Sequence, residues 1–514
     1  MVRIAGAVRP RLARVARATR AMGPRLAALV RPAHPRTLRT WQYTAGAATA
    51  GLALAAGVVT TAGPWDANGQ RTAERERAAA QERAGGTDHG RNSDTTAAAP
   101  RPAPSAASVL TGLGGATGTV NTKKAPASGK PLADVLAPLL DVPELGSAHT
   151  AAVVDVASGK RLYGSGADTA LTPASTTKIA TAVAALSALG ADHRLTTRAA
   201  LEPDTKELVL VGGGDPTLTA HEKADGWASL RTLAVDTAAA LKKRGVREIT
   251  LSYDTTLYAG PSIHPIGVND NLAPVSALMA DEGRTDDSAS GPATRVADPA
   301  ADAARKFAGF LKDAGVRTTA PGPSKATGRS TTLATVSSPP LSALVERMLT
   351  NSDNDIAEAL ARQTALASGG RASFEGGAAA IASRLNKLGL PMSGASFHDG
   401  SGLNRNDRLT ADLLTALLVQ AGSPAHPDLR PVLTGLPVAG FTGTLSARYT
   451  DGAAGVVRAK TGTLTGVNTL AGTVVDQDGR LLAFAFLATN TTSPLDAQAA
   501  LDRTATALAG CGCS

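Results

Sequence analysis

Ser175-Thr176-Thr177-Lys178, Ser352-Asp353-Asn354 and Lys460-Thr461-Gly462 are the three stretches whose joint reading decides the fold. Each carries a group that acyl transfer through serine requires. Ser175 follows Pro173-Ala174 and opens a helix predicted over 176–189 and ended by Gly190. Lys178 is then one turn along the same helix face. The helix start offers free N–H groups and positive dipole to a developing oxyanion, and a nearby lysine takes a serine proton once burial or positive neighbours lower its pKa. Ser352 and Asn354 fall between two predicted helical stretches, 341–349 and 356–366. There a hydroxyl can relay a proton to a leaving amine and an amide can hold a substrate carbonyl, while Asp353 reads as a helix cap. Lys460-Thr461-Gly462-Thr463 lies on a predicted strand, 456–465. Lys460 adds positive potential, Thr461 and Thr463 can donate to a carboxylate, Gly462 lets a peptide lie flat, and the Thr463 and Ser175 N–H groups can form an oxyanion hole.

Each stretch also has an ordinary reading: a serine cap with a surface lysine, a polar loop of caps, a strand with an edge lysine. Order decides between them. An S-x-x-K arises by chance about once in a chain this long, and an S-D-N or a K-T-G in roughly one chain in twenty, so all three in order is about a one-in-a-thousand accident.

Around the motifs, Leu132, Val135, Leu136, Leu139 and Leu140 recur at helical spacing, and 149–163 read as a hairpin turning at Ser158-Gly159. Strands are expected at 199–201, 207–211 and 248–251, with a helix over 227–244. The strand bearing Lys460 is followed by strands at 467–475 and 481–487 and a last helix over 495–508. N-terminal and C-terminal elements would thus meet in one sheet: a catalytic region over 131–195 and 336–514, interrupted by an inserted domain over 196–335. The 514 residues hold this without metal or disulfide support.

The net charge of +9 suggests a nucleic-acid binder until it is located. Residues 1–40 hold ten arginines and no acid, so the other 474 residues sum to 9 − 10 = −1. The basic balance is a tail, and no nucleic-acid partner is expected. Residues 44–63 are uncharged and long enough to cross a bilayer, so 1–43 are expected as a cytoplasmic tail and 44–63 as a membrane anchor, with a cleaved signal as the rival. Residues 64–130 are poor in large apolar residues and read as a disordered linker. Cys511 and Cys513 read as a frayed tail. The histidines are scattered and no H-E-x-x-H occurs, so neither metal nor cofactor is expected.

With these residues the chain resembles the low-molecular-mass, class C penicillin-binding proteins, the D-alanyl-D-alanine carboxypeptidase/endopeptidases of peptidase family S13. Leu210-Val211-Gly212-Gly213-Gly214-Asp215-Pro216-Thr217-Leu218, Asp399-Gly400-Ser401-Gly402-Leu403, Gly443-Thr444-Leu445 with Arg448, and Gly466-Val467 strengthen the resemblance, which covers about 131–510. It implies an α/β (α+β) penicillin-binding-protein/β-lactamase-like transpeptidase fold: an antiparallel sheet flanked by helices, with a smaller inserted α/β domain. The interval from Ser175 to Ser352 has room for one such insertion, where family members commonly carry two. The resemblance further implies attack by Ser175 on the penultimate D-Ala carbonyl of a peptidoglycan stem peptide, release of D-Ala, and hydrolysis of the acyl-enzyme. Lys178 would be the base, Ser352 and Lys460 the proton relay, and Asn354, Thr461, Gly462 and Thr463 the substrate contacts. Endopeptidase activity on cross-bridges and acylation of Ser175 by β-lactams follow from it, and an extracytoplasmic location is expected because either an anchor or a signal at 44–63 would export the rest of the chain. A class A β-lactamase has a much shorter first-to-second motif gap than 177 residues (352 − 175) and a deacylating glutamate not found here. A tethered penicillin- or peptidoglycan-binding sensor would lack some catalytic part, and none is missing.

Overall fold

The computed structural model describes residues 131–449 and 452–512. The tail (1–43), the anchor or signal segment (44–63) and the linker (64–130) lie outside the described residues. In chain order the elements begin with helix α1 (Leu132–Leu140), the hairpin β1 (Ala148–Asp155) and β2 (Arg161–Ser165), and helix α2 (Thr177–Leu189). Next come β3 (Thr196–Leu201), β4 (Glu207–Val211), α3 (Leu230–Lys243), β5 (Glu248–Asp254), α4 (Pro299–Asp313), β6 (Arg317–Thr318), β7 (Gly322–Pro323) and β8 (Thr331–Ser337). Helices α5 (Leu341–Asn351), α6 (Asn354–Ala367), α7 (Phe374–Lys387) and α8 (Ala411–Gly422) follow. The chain closes with β9 (Arg458–Leu464), β10 (Val467–Val475), β11 (Leu481–Thr489) and α9 (Pro494–Ala509).

Five strands form an antiparallel sheet in the order β2-β1-β11-β10-β9. The expected meeting of chain ends is its centre: β1 pairs with β11 over eight residues, from Ala148↔Thr489 to Asp155↔Leu482. Both faces are buried, so β11 reads as a continuous apolar run rather than an alternating one, while β10 is buried as fully but carries Asn468, Thr469 and Thr473. The alternation is in size instead. Leu482, Phe484 and Phe486 point into a core shared with α1 and α9. Ala483, Ala485 and Leu487 point the other way, into a core shared with α2, α5, α6, α7 and α8. On that second face Ala152, Ala485 and Ala471 stand side by side across three strands, and the next residue in the row is Lys460. The small side chains make room for α2, whose residues 177–186 are all buried. A helix apolar nearly all round belongs in an interior.

The second sheet, built from residues 196–337, runs β6-β5-β4-β3-β8 with β7 also on β5. It mixes parallel (β4–β5) and antiparallel (β3–β4, β3–β8) pairs, and α3 and α4 pack on it through Leu233, Leu241, Phe307 and Leu311. Helix α3 starts at Leu230, later than the expected 227, because the Ser229 side chain accepts from Thr232 N–H and caps it there.

One expectation is corrected at the C-terminus. The chain is not frayed at Cys511, which is buried among the α9 and β11 side chains and disulfide-bonded; Cys513 lies outside the described residues. The signal was weak because a two-residue spacing strains a ring, and burial against Leu508 is not visible in a lone cysteine.

Candidate active site

The three motifs converge on one cleft of about 300 Å³, lined by Ser175, Ser352, Asn354, Thr461 and Thr463. Local chain geometry aims each of them. Ser175 sits in a 3-10 turn, Ala174–Thr176, just ahead of α2, and Ala174 is held at a φ of 49°, a left-handed conformation costly for alanine. Ser352 is itself left-handed, φ 59°, as the cap between α5 and α6. That turn lifts its hydroxyl out of both helices. Asp353 is the N-cap of α6, accepting from Ile356 N–H at 3.0 Å, as its sequence context suggests.

Lys178, one turn into α2 and fully buried, donates from Nζ to Ser175 Oγ (3.1 Å), Asn354 Oδ1 (2.6 Å) and the Ser401 carbonyl (2.7 Å). Burial lowers its pKa to about 8, against the opposing pull of Asp399, Glu358, Asp353 and Asp355. Lys460, also fully buried, donates to Ser352 Oγ (2.9 Å) and to the Thr461 carbonyl (2.7 Å). Its pKa lies well below the usual lysine range through burial first, then the nearby charges of Lys178 and Arg448. Two serine hydroxyls thus each face an ammonium with a weakened hold on its proton.

Strand β9 is the sheet's edge, with its open side on the cleft. The Thr461 hydroxyl donates to Thr444 Oγ1 at 3.0 Å, so a second hydroxyl from the 443–445 turn joins that wall. Gly462 is demanded from behind. A Cβ there would stand 2.1 Å from Thr469 Oγ1, 2.7 Å from the Pro173 carbonyl and 3.1 Å from Ser175 N. The absent side chain lets β9 lie directly against the serine turn, and Thr463 and Ser175 line the same cleft. Thr469 clamps the same turn, donating to the Pro173 carbonyl at 2.8 Å.

Three residues that support this site, Asn271, Arg295 and Glu358, escaped the sequence reading, and a fourth support, the Asp399–Gly402 loop, shows there only as a pattern. Asn271, on the segment joining β5 to α4, accepts from Asn354 Nδ2 through its carbonyl at 2.8 Å. Arg295, from the same segment, pairs with Asp355 at 3.0 Å. The Asp399–Gly402 loop packs under α2: Gly400 O accepts from Thr181, and a Cβ on Gly402 would collide with the Ala174 carbonyl. Glu358, one turn past Asn354, accepts from the Gly400 and Ser401 N–H groups at 3.0 and 2.9 Å. Only the loop left a trace in sequence, as a Gly-rich stretch of familiar pattern. The others act across more than forty residues of separation.

Comparison with known proteins gives this cleft relatives. A sequence model described as the D-Ala-D-Ala carboxypeptidase 3 (S13) family matches residues 131–294 and 285–508. A carboxypeptidase DacB of Mycolicibacterium smegmatis is 38% identical over 441 residues, covering 82% of this chain and 92% of its own length. A D-alanyl-D-alanine carboxypeptidase of Actinomadura sp. is 30% identical over 431 residues, covering 67% of this chain and 78% of its own. Among solved structures, penicillin-binding protein 4 (dacB) of Haemophilus influenzae superposes with a TM-score of 0.59 at 22% identity, over 73% of this chain and 98% of that one. That likeness establishes the penicillin-binding-protein fold, with its antiparallel sheet between helical layers. With a family match running nearly the whole length of the described residues, the chain belongs to the D-Ala-D-Ala carboxypeptidase 3 (S13) family.

Proposed function

We propose that the chain is a serine-type D-Ala-D-Ala carboxypeptidase of peptidoglycan stem peptides, with endopeptidase activity on D-Ala cross-bridges as a second use of the same chemistry. The observation that carries this is the pair of short contacts, Lys178 Nζ to Ser175 Oγ and Lys460 Nζ to Ser352 Oγ, in one cleft. Neutral Lys178 takes the Ser175 proton as Oγ attacks the penultimate D-Ala carbonyl. The oxyanion is met by the N–H groups of Ser175 and Thr463. The C–N bond breaks as a proton passes through Ser352, backed by Lys460, to the departing D-Ala amine. Thr461 and Thr463, with Lys460 behind them, anchor the terminal carboxylate, and Asn354 holds the peptide. Water then cleaves the acyl-serine ester and returns the proton. A β-lactam carries a strained amide and a carboxylate in the same relation, so it acylates Ser175.

A class A β-lactamase needs a free carboxylate beside the ester to activate water. Among the cleft-lining residues the carboxylates are Asp353, which caps α6, and Asp355, which is tied to Arg295 and the Ala273 N–H. Glu358 is buried beneath Lys178 on backbone donors. None is placed for that task.

Peptidoglycan chemistry puts the enzyme in the cell envelope. Membrane anchoring through 44–63, with 1–43 inside, 64–130 as tether, 131–195 and 336–514 as the catalytic domain and 196–335 as its insertion, is part of the proposal; among the described residues no helix is long and apolar enough to span a bilayer. Intact mass after benzylpenicillin treatment, followed by peptide mapping, tests the mechanism. One adduct on the peptide holding Ser175 is expected, none in Ser175→Ala, and an adduct surviving in that variant would place the nucleophile elsewhere.

A further inference from the structure

Beneath Lys178 lies a buried polar cluster that none of the acyl-transfer steps uses. Asp399 is its centre: Oδ1 accepts from Gly402 N–H at 2.7 Å, and Oδ2 accepts from Asn404 N–H at 2.7 Å and the Ser401 hydroxyl at 3.3 Å. A last partner comes from far away in sequence. His264, on the segment between β5 and α4, is almost fully buried and sits with Nε2 2.9 Å from Asp399 Oδ2. Its tautomer is fixed by the backbone. The Ile266 N–H donates to Nδ1 at 3.2 Å, so Nδ1 is the acceptor and the proton is on Nε2, pointing at Asp399. Phe374 meets the ring edge-on at 5.0 Å and holds it there.

What Asp399 supports is the underside of the nucleophile turn. The loop it organises presents the Ser401 carbonyl to Lys178, the Gly400 carbonyl to Thr181, and Gly402 to the Ala174 backbone. We propose that His264 is a positioning residue: by donating Nε2–H to Asp399 it holds that carboxylate and its loop in place beneath Lys178, and so sets how firmly the lysine is held as ammonium. The inference rests on the reading of Lys178 as the base.

The charged groups around the two residues fix the sign. Lys178 is faced by Asp399 and Glu358 from below, Asp353 and Asp355 from the start of α6, and Lys460 across the cleft. Asp399 is faced by His264, by Glu358 with its partner Arg362, and by Asp407, which burial and the Asp399 charge hold neutral. Burial alone would push the Asp399 carboxyl up. The His264 hydrogen bond and the Gly402 and Asn404 N–H groups outweigh it and hold Asp399 below its usual value. Among the charges pulling Lys178 toward the ammonium form, Asp399 is the largest. Without the His264 donor, Asp399 and the loop it organises are less firmly seated under Lys178, so the Asp399 charge and the Ser401 carbonyl hold the ammonium less firmly and the free amine persists to lower pH.

The test is the pH dependence of Ser175 acylation by a fluorescent penicillin in the full chain. His264→Phe removes the donor and keeps an aromatic body against Phe374. Its acid limb is expected to move down by at least about half a pH unit, about a threefold gain at pH 6 relative to its own plateau. His264→Gln keeps an N–H for Asp399 and an oxygen for Ile266 N–H, and its limb should coincide with that of the unaltered enzyme. Should His264→Phe not fold, Asp399→Asn, which retains an acceptor for Gly402 N–H and removes the charge, carries the same expected downward shift. A lowered plateau with an unmoved limb would reduce His264 to a packing residue and overturn the inference, as would a shift in His264→Gln. Lys178→Ala separates this failure from failure of the base assignment. If Lys178→Ala loses acylation while the His264→Phe limb stays put, only the positioning role falls; if Lys178→Ala acylates normally, the base assignment falls with it.

Discussion

Lys178 and Lys460 are both amines stripped of water, and each hydroxyl they serve depends on that. Because Lys178 titrates near pH 8 and must be neutral to accept a proton, the acylation rate should climb about tenfold per pH unit below 8 and level off above it. The second-order rate with a fluorescent penicillin between pH 5.5 and 9 checks this; a flat profile below 8 would show that Lys178 is not the base. Lys460 predicts a different signature. In Lys460→Ala, peptides ending in a free carboxylate should lose far more kcat/KM than their C-terminal amides, and equal losses would contradict the anchor role. These residues were legible in sequence because their types and order carry the chemistry. His264 and Glu358 were not: a histidine 135 residues from its carboxylate partner looks like any other histidine.

At the scale of elements, the strand and the helix start are fitted to each other through a missing side chain. Gly462→Ala would drive a methyl group into Thr469, Pro173 and the Ser175 N–H at once. Either β9 or the serine turn must give by an ångström, and misplacement of that size costs on the order of 100-fold in rate. Comparing acylation rates with thermal midpoints should show a large kinetic loss with a smaller stability change; unchanged acylation would mean the contact is slack. Periodicity revealed α1, α2 and the three last strands to within a few residues. Helices α4, α7 and α8 went unread. Gly376-Gly377 sits in the first turns of α7, where glycine argues against helix, and Gly377 is there because a Cβ would press on Ala361 of α6 at 3.0 Å. Helix α4 did carry a start signal, Asp298 capping with Pro299 at the first position, lost among the polar residues before it.

For the molecule as a whole, each group the mechanism uses lies in residues 131–512. A chain beginning at residue 121 should therefore be acylated at the rate of the full-length protein when both are assayed in detergent, and a rate tenfold lower would give the first 120 residues a part in the site. The overall plan was readable because the chain ends both supply strands, and the charge arithmetic removed the nucleic-acid reading. What could not be read was how the 196–337 segment grips the site. It does so by pairing arginines with buried carboxyls: Arg295 with Asp355, and Arg347 from α5 with Glu282 at 2.8 Å. Pairs of this kind have no periodic pattern, and their partners are fixed only once the tertiary structure exists.

The pairing of β1 with β11 has a consequence for biosynthesis. A ribosome finishes Ser175 long before it makes Lys460 and the strands at the sheet's centre, so the nascent polypeptide holds its nucleophile for most of translation without the partners that would arm it. Contacts between such distant segments are slow to form. A product truncated anywhere ahead of Leu481 lacks the central strand altogether, and incomplete synthesis therefore yields an inert chain rather than a half-competent, unregulated hydrolase.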